Sequence, residues 1–416
     1  MTGRPAVALA VHDGFYGCGT GAGYANFGFL DTMLSLLPAG VHLAILPVRL
    51  ARGGPEHHPS WHARVRELLR GRDVSVHPID NGTGGLDRWG GLDNFRTCGA
   101  TAAECLVREV FPHHSPILTI AFDVPFFGLG ALLPADPRRG LIIVPRSSGA
   151  IHDPRDTTRI TWERDMLHTG SSAGARIGVI SPYMRNHLRT DYGIPNSALL
   201  EFADGLCAQD WKRLTGSPGD DIALPEEFIL TMGRAEPYKG FEDLLDAIAI
   251  LHQRHCPTPH LIFAATTETT HPTEYQQYLT TRIEQLGIDA TVIHRFTPAV
   301  SRILTHPGIR AVIVPSRAEP FGRIPMEAFA AAAGPVISTT AHGLSGQITD
   351  RVTGFTCAPA DPDGLADALA RALTLSPAER RTMIGRARTH ARHRYDHTSV
   401  VRQVLAETAP WLVPAA

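Results

Sequence analysis

The sequence predicts an α/β protein made of two doubly wound parallel-sheet domains. Three observations carry this: apolar runs of strand length recur along the chain, segments of helical period alternate with them, and the alternation stops at a polar Gly/Pro stretch and then restarts. Apolar runs without polar alternation belong to strands covered on both faces, as in parallel sheets between helices.

In the first half the expected strands are Val7–Val11, Val41–Val48, Ile117–Ala121, Leu141–Val144 and Ile177–Ser181. Between them lie helical segments such as Ala25–Leu37, Ala100–Val110 and Thr161–Ala173. The stretch Leu214–Asp221, reading Leu-Thr-Gly-Ser-Pro-Gly-Asp-Asp, has the composition of a linker. Strands resume at Phe228–Met232, Leu261–Ala265, Thr291–Ile293, Ala311–Val314 and Val336–Ser338. The expected domains are therefore residues 1–213 and 222–395. The stretch Pro377–Leu412 is helical, rich in Arg and His, and ends in an apolar tail at Trp411. Such a tail needs a surface to cover, so residues 396–416 are expected to return to the first domain. Doubly wound sheets place ligand crevices at the carboxyl ends of their strands. Two such domains facing each other would put the site in an interdomain cleft, suited to joining two substrates.

Composition narrows the function. The 416 residues hold 39 basic and 41 acidic side chains, a net charge of −2, which speaks against nucleic acid as a partner and against a polybasic membrane anchor. No apolar run approaches the roughly 18 residues of a membrane span, so no integral membrane segment is expected and the protein reads as cytoplasmic. The six cysteines (Cys18, Cys98, Cys105, Cys207, Cys256 and Cys357) form no C-x-x-C pair and no Cys/His set at metal spacing. The lysines are Lys212 and Lys239, and every other basic residue is Arg.

Two motifs carry chemistry. The first, Met232-Gly-Arg-Ala-Glu-Pro-Tyr-Lys-Gly240, follows a strand and precedes a helix. Gly233 and Gly240 allow tight turning, and Arg234 and Lys239 bring two cations to a strand end beside a helix N-terminus, a combination suited to a diphosphate. The second, Pro315-Ser-Arg-Ala-Glu-Pro-Phe-Gly-Arg-Ile-Pro-Met-Glu327, follows the strand Ala311–Val314. Glu319 stands before a helix start and Glu327 about a turn inside it. Two acceptor-only groups in one crevice suit sugar hydroxyls and a ribose diol, and the turn Pro320-Phe321-Gly322-Arg323 offers backbone N–H groups at the positive helix end.

Together these motifs resemble the retaining glycosyltransferases of family 4, matching the G-R-x(4)-K-G and E-x(7)-E elements of that family. The resemblance continues through Gly334-Pro-Val-Ile-Ser338 and Asp350-Arg-Val-Thr-Gly-Phe355. It is strong from Phe228 to about Leu375 and holds only in outline before that. It implies the GT-B architecture of two facing Rossmann-like domains, a nucleoside diphosphate sugar as donor, and sugar transfer to a small-molecule acceptor with retention and without metal or other cofactor. By the same resemblance Arg234 and Lys239 neutralise the departing diphosphate, Glu327 holds the ribose and Glu319 the transferred sugar; Arg234, Lys239 and Glu319 are the expected catalytic set. Phe321, Gly322 and Arg323 join the donor site.

The loop His12-Asp-Gly-Phe-Tyr-Gly-Cys-Gly-Thr-Gly-Ala-Gly23 joins the first strand to the first helix. In the family a glycine-rich loop here approaches the diphosphate, a place that Gly21 and Gly23 fit, with Asn26 one turn on as a polar contact. Asp13, Phe15 and Tyr16 could line the acceptor pocket. Many family members carry a His near the donor sugar where this chain reads Val144-Pro-Arg146-Ser-Ser148-Gly-Ala-Ile-His152-Asp153; Arg146, Ser148 or His152 could fill that position. The coding bias and the lack of a basic membrane-binding helix favour a polar, natural-product acceptor of the kind met in antibiotic biosynthesis. A sugar phosphorylase, a nucleotide-sugar epimerase and an idle nucleotide-sugar-binding protein are the rival readings, and a homodimer is left open.

Overall fold

The computed structural model describes residues 3–17, 20–216, 224–269, 271–296, 300 and 302–412. Cys18 and the greater part of the expected linker, from residue 217 on, lie outside the described residues. The chain divides into two units, one holding the residues up to Cys207 together with those from His397 on, the other Ala208–Asp396.

The first unit contains β1 (Arg4–Val11), β2 (His42–Pro47), β3 (Val74–Val76), β4 (His114–Phe122), β5 (Arg139–Val144), β6 (Arg176–Val179) and β7 (Leu199–Glu201). They form one sheet in the order β3-β2-β1-β4-β5-β6-β7, with every pairing parallel. The chain builds outward from β1 on one side and then returns to its other side with β4, which opens a crevice at the carboxyl ends of β1 and β4. One face of the sheet is made small by Ala6, Ala8, Ala10 and Ala44, so the helix Leu92–Cys105 packs close with Cys98, Ala102 and Ala103. The expected helix Ala100–Val110 ends differently from a simple α-helix: after Cys105 the backbone widens into a π-helical turn, Leu106–Val110.

The first helix, α1 (Gly21–Leu36), begins earlier than the periodicity predicts. Thr20 has extended backbone and its hydroxyl accepts the Gly23 amide, so the cap sits ahead of both glycines. Gly21 and Gly23 therefore lie in the first helical turn, and Gly14, at φ +85°, is the residue that turns the loop. The C-terminal helical stretch is broken as well: Pro377–Arg394 ends at Tyr395, and a separate helix, His397–Thr408, packs on α1. There Thr32 Oγ1 lies 3.0 Å from His397 Nδ1, Phe29 meets the same ring edge-on, and Arg176 pairs with Glu407 at 2.7 Å.

The second unit holds β8 (Phe228–Arg234), β9 (His260–Thr266), β10 (Ala290–Val292), β11 (Ile309–Val314), β12 (Val336–Thr339) and β13 (Phe355–Cys357). Their order is β10-β9-β8-β11-β12-β13, again wholly parallel. Ile229, Phe263 and Ile313 of the sheet bury against Phe241, Leu244 and Ile248 of the helix Phe241–Gln253 and against Leu365 and Leu369 of Pro362–Leu373. Each such side chain stabilises the fold by about 1.5–3 kcal/mol when fully buried. The short helix Ala208–Leu214 groups with this unit, because Asp210 pairs with Arg323 at 3.2 Å.

Candidate functional site

In the second unit the chain reverses its direction of growth between β8 and β11, so their carboxyl ends diverge into a crevice. The two sequence motifs are the segments that leave those strands, and the structure interlocks them. Tyr238 O accepts the amide of Arg317 at 2.7 Å, and the Arg317 guanidinium grips both oxygens of Asp243, Nε to Oδ2 at 2.8 Å and Nη2 to Oδ1 at 2.6 Å. Gly240 adopts φ +66°, and a Cβ there would stand 2.1 Å from the Pro315 carbonyl oxygen. Only glycine fits at this crossing. Gly233, by contrast, sits inside β8 with no positive φ, and the turn is made by Gly240 alone.

Across the interlock Lys239 Nζ donates to Glu319 Oε1, which also accepts Ser316 Oγ at 3.2 Å. Lys239 lies 5.4 Å from the centre of the Tyr238 ring, and exposed Arg234 donates to the Tyr238 hydroxyl. Tyr238 is thus a spacer for both cations, which the sequence reading passed over. Glu319 is buried, and its carbonyl accepts the amide of Gly343 at 2.7 Å. A Cβ on Gly343 would come within 2.1 Å of Pro320 O, which explains the glycine opposite the motif. Gln347 fastens the turn from the other side, giving Nε2 to Phe321 O at 2.5 Å and to Gly322 O at 3.2 Å.

Gly322, at φ +89°, precedes the helix Arg323–Ala331, whose start has no side-chain cap. Its first amides and the positive end of the helix are thereby left to serve an anion. Glu327, buried in this helix, accepts Arg323 Nε at 3.1 Å and lies 3.8 Å from Arg213 Nη2; both guanidinia also reach Asp210, at 3.2 and 3.1 Å. This network of two Arg and two carboxylates fixes Glu327 while drawing on residues more than 100 positions away, which no motif spacing can announce.

In the first unit the crevice at β1 and β4 is closed by charge. Asp123, at φ +71°, receives Arg146 Nε at 3.0 Å and Nη2 on its other oxygen, while His12 Nδ1 lies 3.1 Å away. Arg146 Nη1 donates to Ala22 O at 3.1 Å, tying β5 to the start of α1, and its guanidinium lies 5.0 Å from the centre of the Phe122 ring. Burial pushes the Asp123 carboxyl up, but Arg146 and then His12 outweigh it and hold it well below the usual carboxylate range. Neither His12 nor Asp123 is a residue the sequence reading selected; both follow strand ends, the one available signal.

The remaining predicted residues are placed as follows. Asp13 is buried, accepts Gly14 N at 2.7 Å and Thr20 Oγ1, and lies 3.3 Å from Arg88 Nε. Asn26 donates to Asp13 O at 2.7 Å, and its buried Oδ1 has no hydrogen-bond partner among the described residues. Ser148 is buried, its hydroxyl 2.8 Å from His187 Nε2, and His187 Nδ1 lies 2.6 Å from Asp191 Oδ2. His152 is exposed at the end of a four-residue helix. Tyr16 lines a surface groove of about 660 Å³ with Phe15, His62 and Arg66.

Residues 219–390 match the family described as glycosyl transferases group 1. That match falls within the second unit. The chain is 31% identical over 230 residues to a D-inositol 3-phosphate glycosyltransferase of Frankia alni, covering 53% of this chain and 54% of that protein. It is likewise 31% identical over 218 residues to a glycogen synthase of Mycobacterium tuberculosis, covering 50% and 48%. The chain thus spans about half the length of the curated relatives it matches. Among solved structures it superposes on the sucrose-phosphate synthase of Thermosynechococcus elongatus with a TM-score of 0.74 at 21% identity, over 97% of this chain and all of that one. Anabaena HepE, solved in complex with UDP-glucose, gives 0.67 at 16% identity over 96% and 98%. Both sheets share the architecture of these glycosyltransferases, the GT-B fold. The family similarity lies in the second unit, and the first unit is matched by shape far more than by sequence. No described helix is long and apolar enough to cross a membrane.

Proposed function

We propose that this chain is a retaining glycosyltransferase that moves a sugar from a nucleoside diphosphate sugar to a hydroxyl of a small polar acceptor, without a divalent metal and in the cytoplasm. The observation that carries the reading is the interlock at β8 and β11. It gathers Arg234, Lys239, Glu319 and the uncapped start of the helix Arg323–Ala331 around one strand-end crevice. Two cations and a helix start can take up the charge of a departing diphosphate, and donors aimed at developing charge are worth most when held in place beforehand. Glu327, fixed by Arg323 and Arg213, is the candidate partner for ribose hydroxyls, and Glu319 for the sugar.

In the transfer the acceptor oxygen forms a bond to the anomeric carbon as the bond to the diphosphate oxygen breaks. The acceptor proton passes to the departing phosphate on the same face, which retains the anomeric configuration. Arg146 and Asp123 serve by holding the strand ends of the first unit.

The test begins with a thermal-shift screen of nucleoside diphosphates and their sugars, since ligand bound to the folded state raises stability by mass action. The stabilising donor is then supplied with candidate acceptors, and the product linkage is read by NMR. Retained configuration with release of nucleoside diphosphate is expected. An inverted product refutes the mechanism; an epimerised donor, or a sugar phosphate formed only with added phosphate, refutes transfer altogether.

A further inference from the structure

At the β3 edge of the first unit's sheet lies a second cluster of chemistry-bearing side chains. His77 follows the edge strand β3; Cys105 ends the helix Leu92–Cys105, and Glu109 stands on the π-helical turn that follows. One ligand atom from each lies within 4.8 Å of the other two. His77 Nδ1 is 2.9 Å from Glu109 Oε2, and its Nε2 is 2.8 Å from Ser75 Oγ. The same hydroxyl is 2.9 Å from His42 Nε2, and His42 Nδ1 is 2.9 Å from Asp73 Oδ1.

The hydrogens of this chain do not add up with neutral rings. Carboxylates only accept, so Glu109 and Asp73 each need an N–H on the facing Nδ1. Both Nε2 atoms then face Ser75 as acceptors, and one hydroxyl has one hydrogen to give. One extra proton on either ring removes the conflict, and so does a cation on His77 Nδ1 in place of its hydrogen. His77 then carries its hydrogen on Nε2 and donates to Ser75, Ser75 donates to His42, and His42 donates to Asp73. A ligating imidazole whose other nitrogen is oriented through a hydrogen bond is the usual outer support of a metal site.

We propose that His77, Cys105 and Glu109 bind a zinc-class transition-metal ion, with one coordination position left to water. Imidazole, thiolate and carboxylate together select a borderline-soft ion over magnesium or calcium. Ligand atoms around tetrahedral zinc stand about 3.3–3.8 Å apart, so the side chains need close by only about 1 Å. Cys105 and Glu109 stand four positions apart along the helix and the turn that continues it, the spacing that places two side chains on one face. Bound there, the ion clips the edge strand β3 to the end of the helix Leu92–Cys105.

The full chain, stripped with EDTA and dialysed, is titrated with Zn²⁺ against a chromophoric chelator, and separately with Co²⁺ while the near-ultraviolet thiolate charge-transfer band is recorded. One tight equivalent and a thiolate band are expected. Cys105→Ser should abolish the band and weaken Zn²⁺ binding at least tenfold, Ser75→Ala should weaken it by about tenfold through the lost hydrogen bond, and Cys256→Ser should change nothing. Circular dichroism confirms that each variant is folded. A Co²⁺ complex of the unaltered chain without a thiolate band, or a band and affinity that persist in Cys105→Ser, overturns the proposal.

Discussion

Replacing Arg146 by alanine tests whether the first unit's crevice is held by a buried ion pair. The substitution removes the two hydrogen bonds to Asp123 and the 3.1 Å bond to Ala22 O, and it leaves the Asp123 carboxylate, 4% exposed, beside His12 alone. Deleting one partner of a buried pair costs about 3–5 kcal/mol. For a unit of this size that is about 6–20 °C in Tm. Urea unfolding followed by circular dichroism measures it, and a cycle with Asp123→Asn separates the pair from its surroundings. The double variant Asp123→Asn/Arg146→Ala should be less destabilised than the sum of the singles. The pH dependence has a fixed sign. Asp123 is held below its ordinary 3.8, so the stabilisation is full above that value and is lost as pH falls through the folded-state value. The unaltered and Arg146→Ala curves should therefore stand apart above about pH 4 and approach one another in stronger acid. A variant that unfolds within about 1 kcal/mol of the unaltered chain at neutral pH yet loses sugar transfer would refute the reasoning and make Arg146 a substrate contact, since cleanly broken buried pairs cost more than that.

Three further outcomes are expected. Lys239→Ala and Arg234→Ala should each lower kcat/KM by about 100–1,000-fold, the scale for one preorganised donor, and activity should survive EDTA; restoration by Mn²⁺ after a loss to EDTA would contradict this. Glu327→Gln should chiefly weaken binding of the nucleoside diphosphate, read by calorimetry, whereas Glu319→Ala should chiefly lower turnover while binding persists. Gly240→Ala should lower Tm by several degrees and abolish donor binding together, because the new Cβ would push the Pro315 carbonyl out of the interlock; normal binding in that variant would show the crossing to be loose.

The strand positions in both halves were legible because buried parallel strands write themselves as continuous apolar runs. Of the three-residue edge strands, β3, β7 and β13 were not, being too short for a period to show, whereas β10 was read as Thr291–Ile293. The cations and carboxylates of the second unit were legible as motifs, since each group stands at a fixed offset from a strand end. Their mutual contacts were not, because Lys239 and Glu319 are joined across 80 residues by sheet order, which spacing alone does not encode. The start of α1 was misjudged because glycines read as loop, whereas Thr20 caps ahead of them. No Cys/His set at metal spacing shows along the chain, and the fold alone brings Cys105 to His77, a residue with no signal in the sequence.

The return of the His397–Thr408 helix to α1 has a consequence for how the molecule is made. The second unit is one uninterrupted stretch, Ala208–Asp396, and can complete its fold as soon as it clears the ribosome. The first unit, although synthesised earlier, lacks the helix that covers Phe29 and Thr32 until His397–Thr408 emerges. During synthesis the older half therefore waits on the younger, with an apolar face of α1 bare for the whole interval. A nascent chain stalled just before His397 should be more readily cleaved by protease around α1 than the released protein, even though every residue of the crevice is already present.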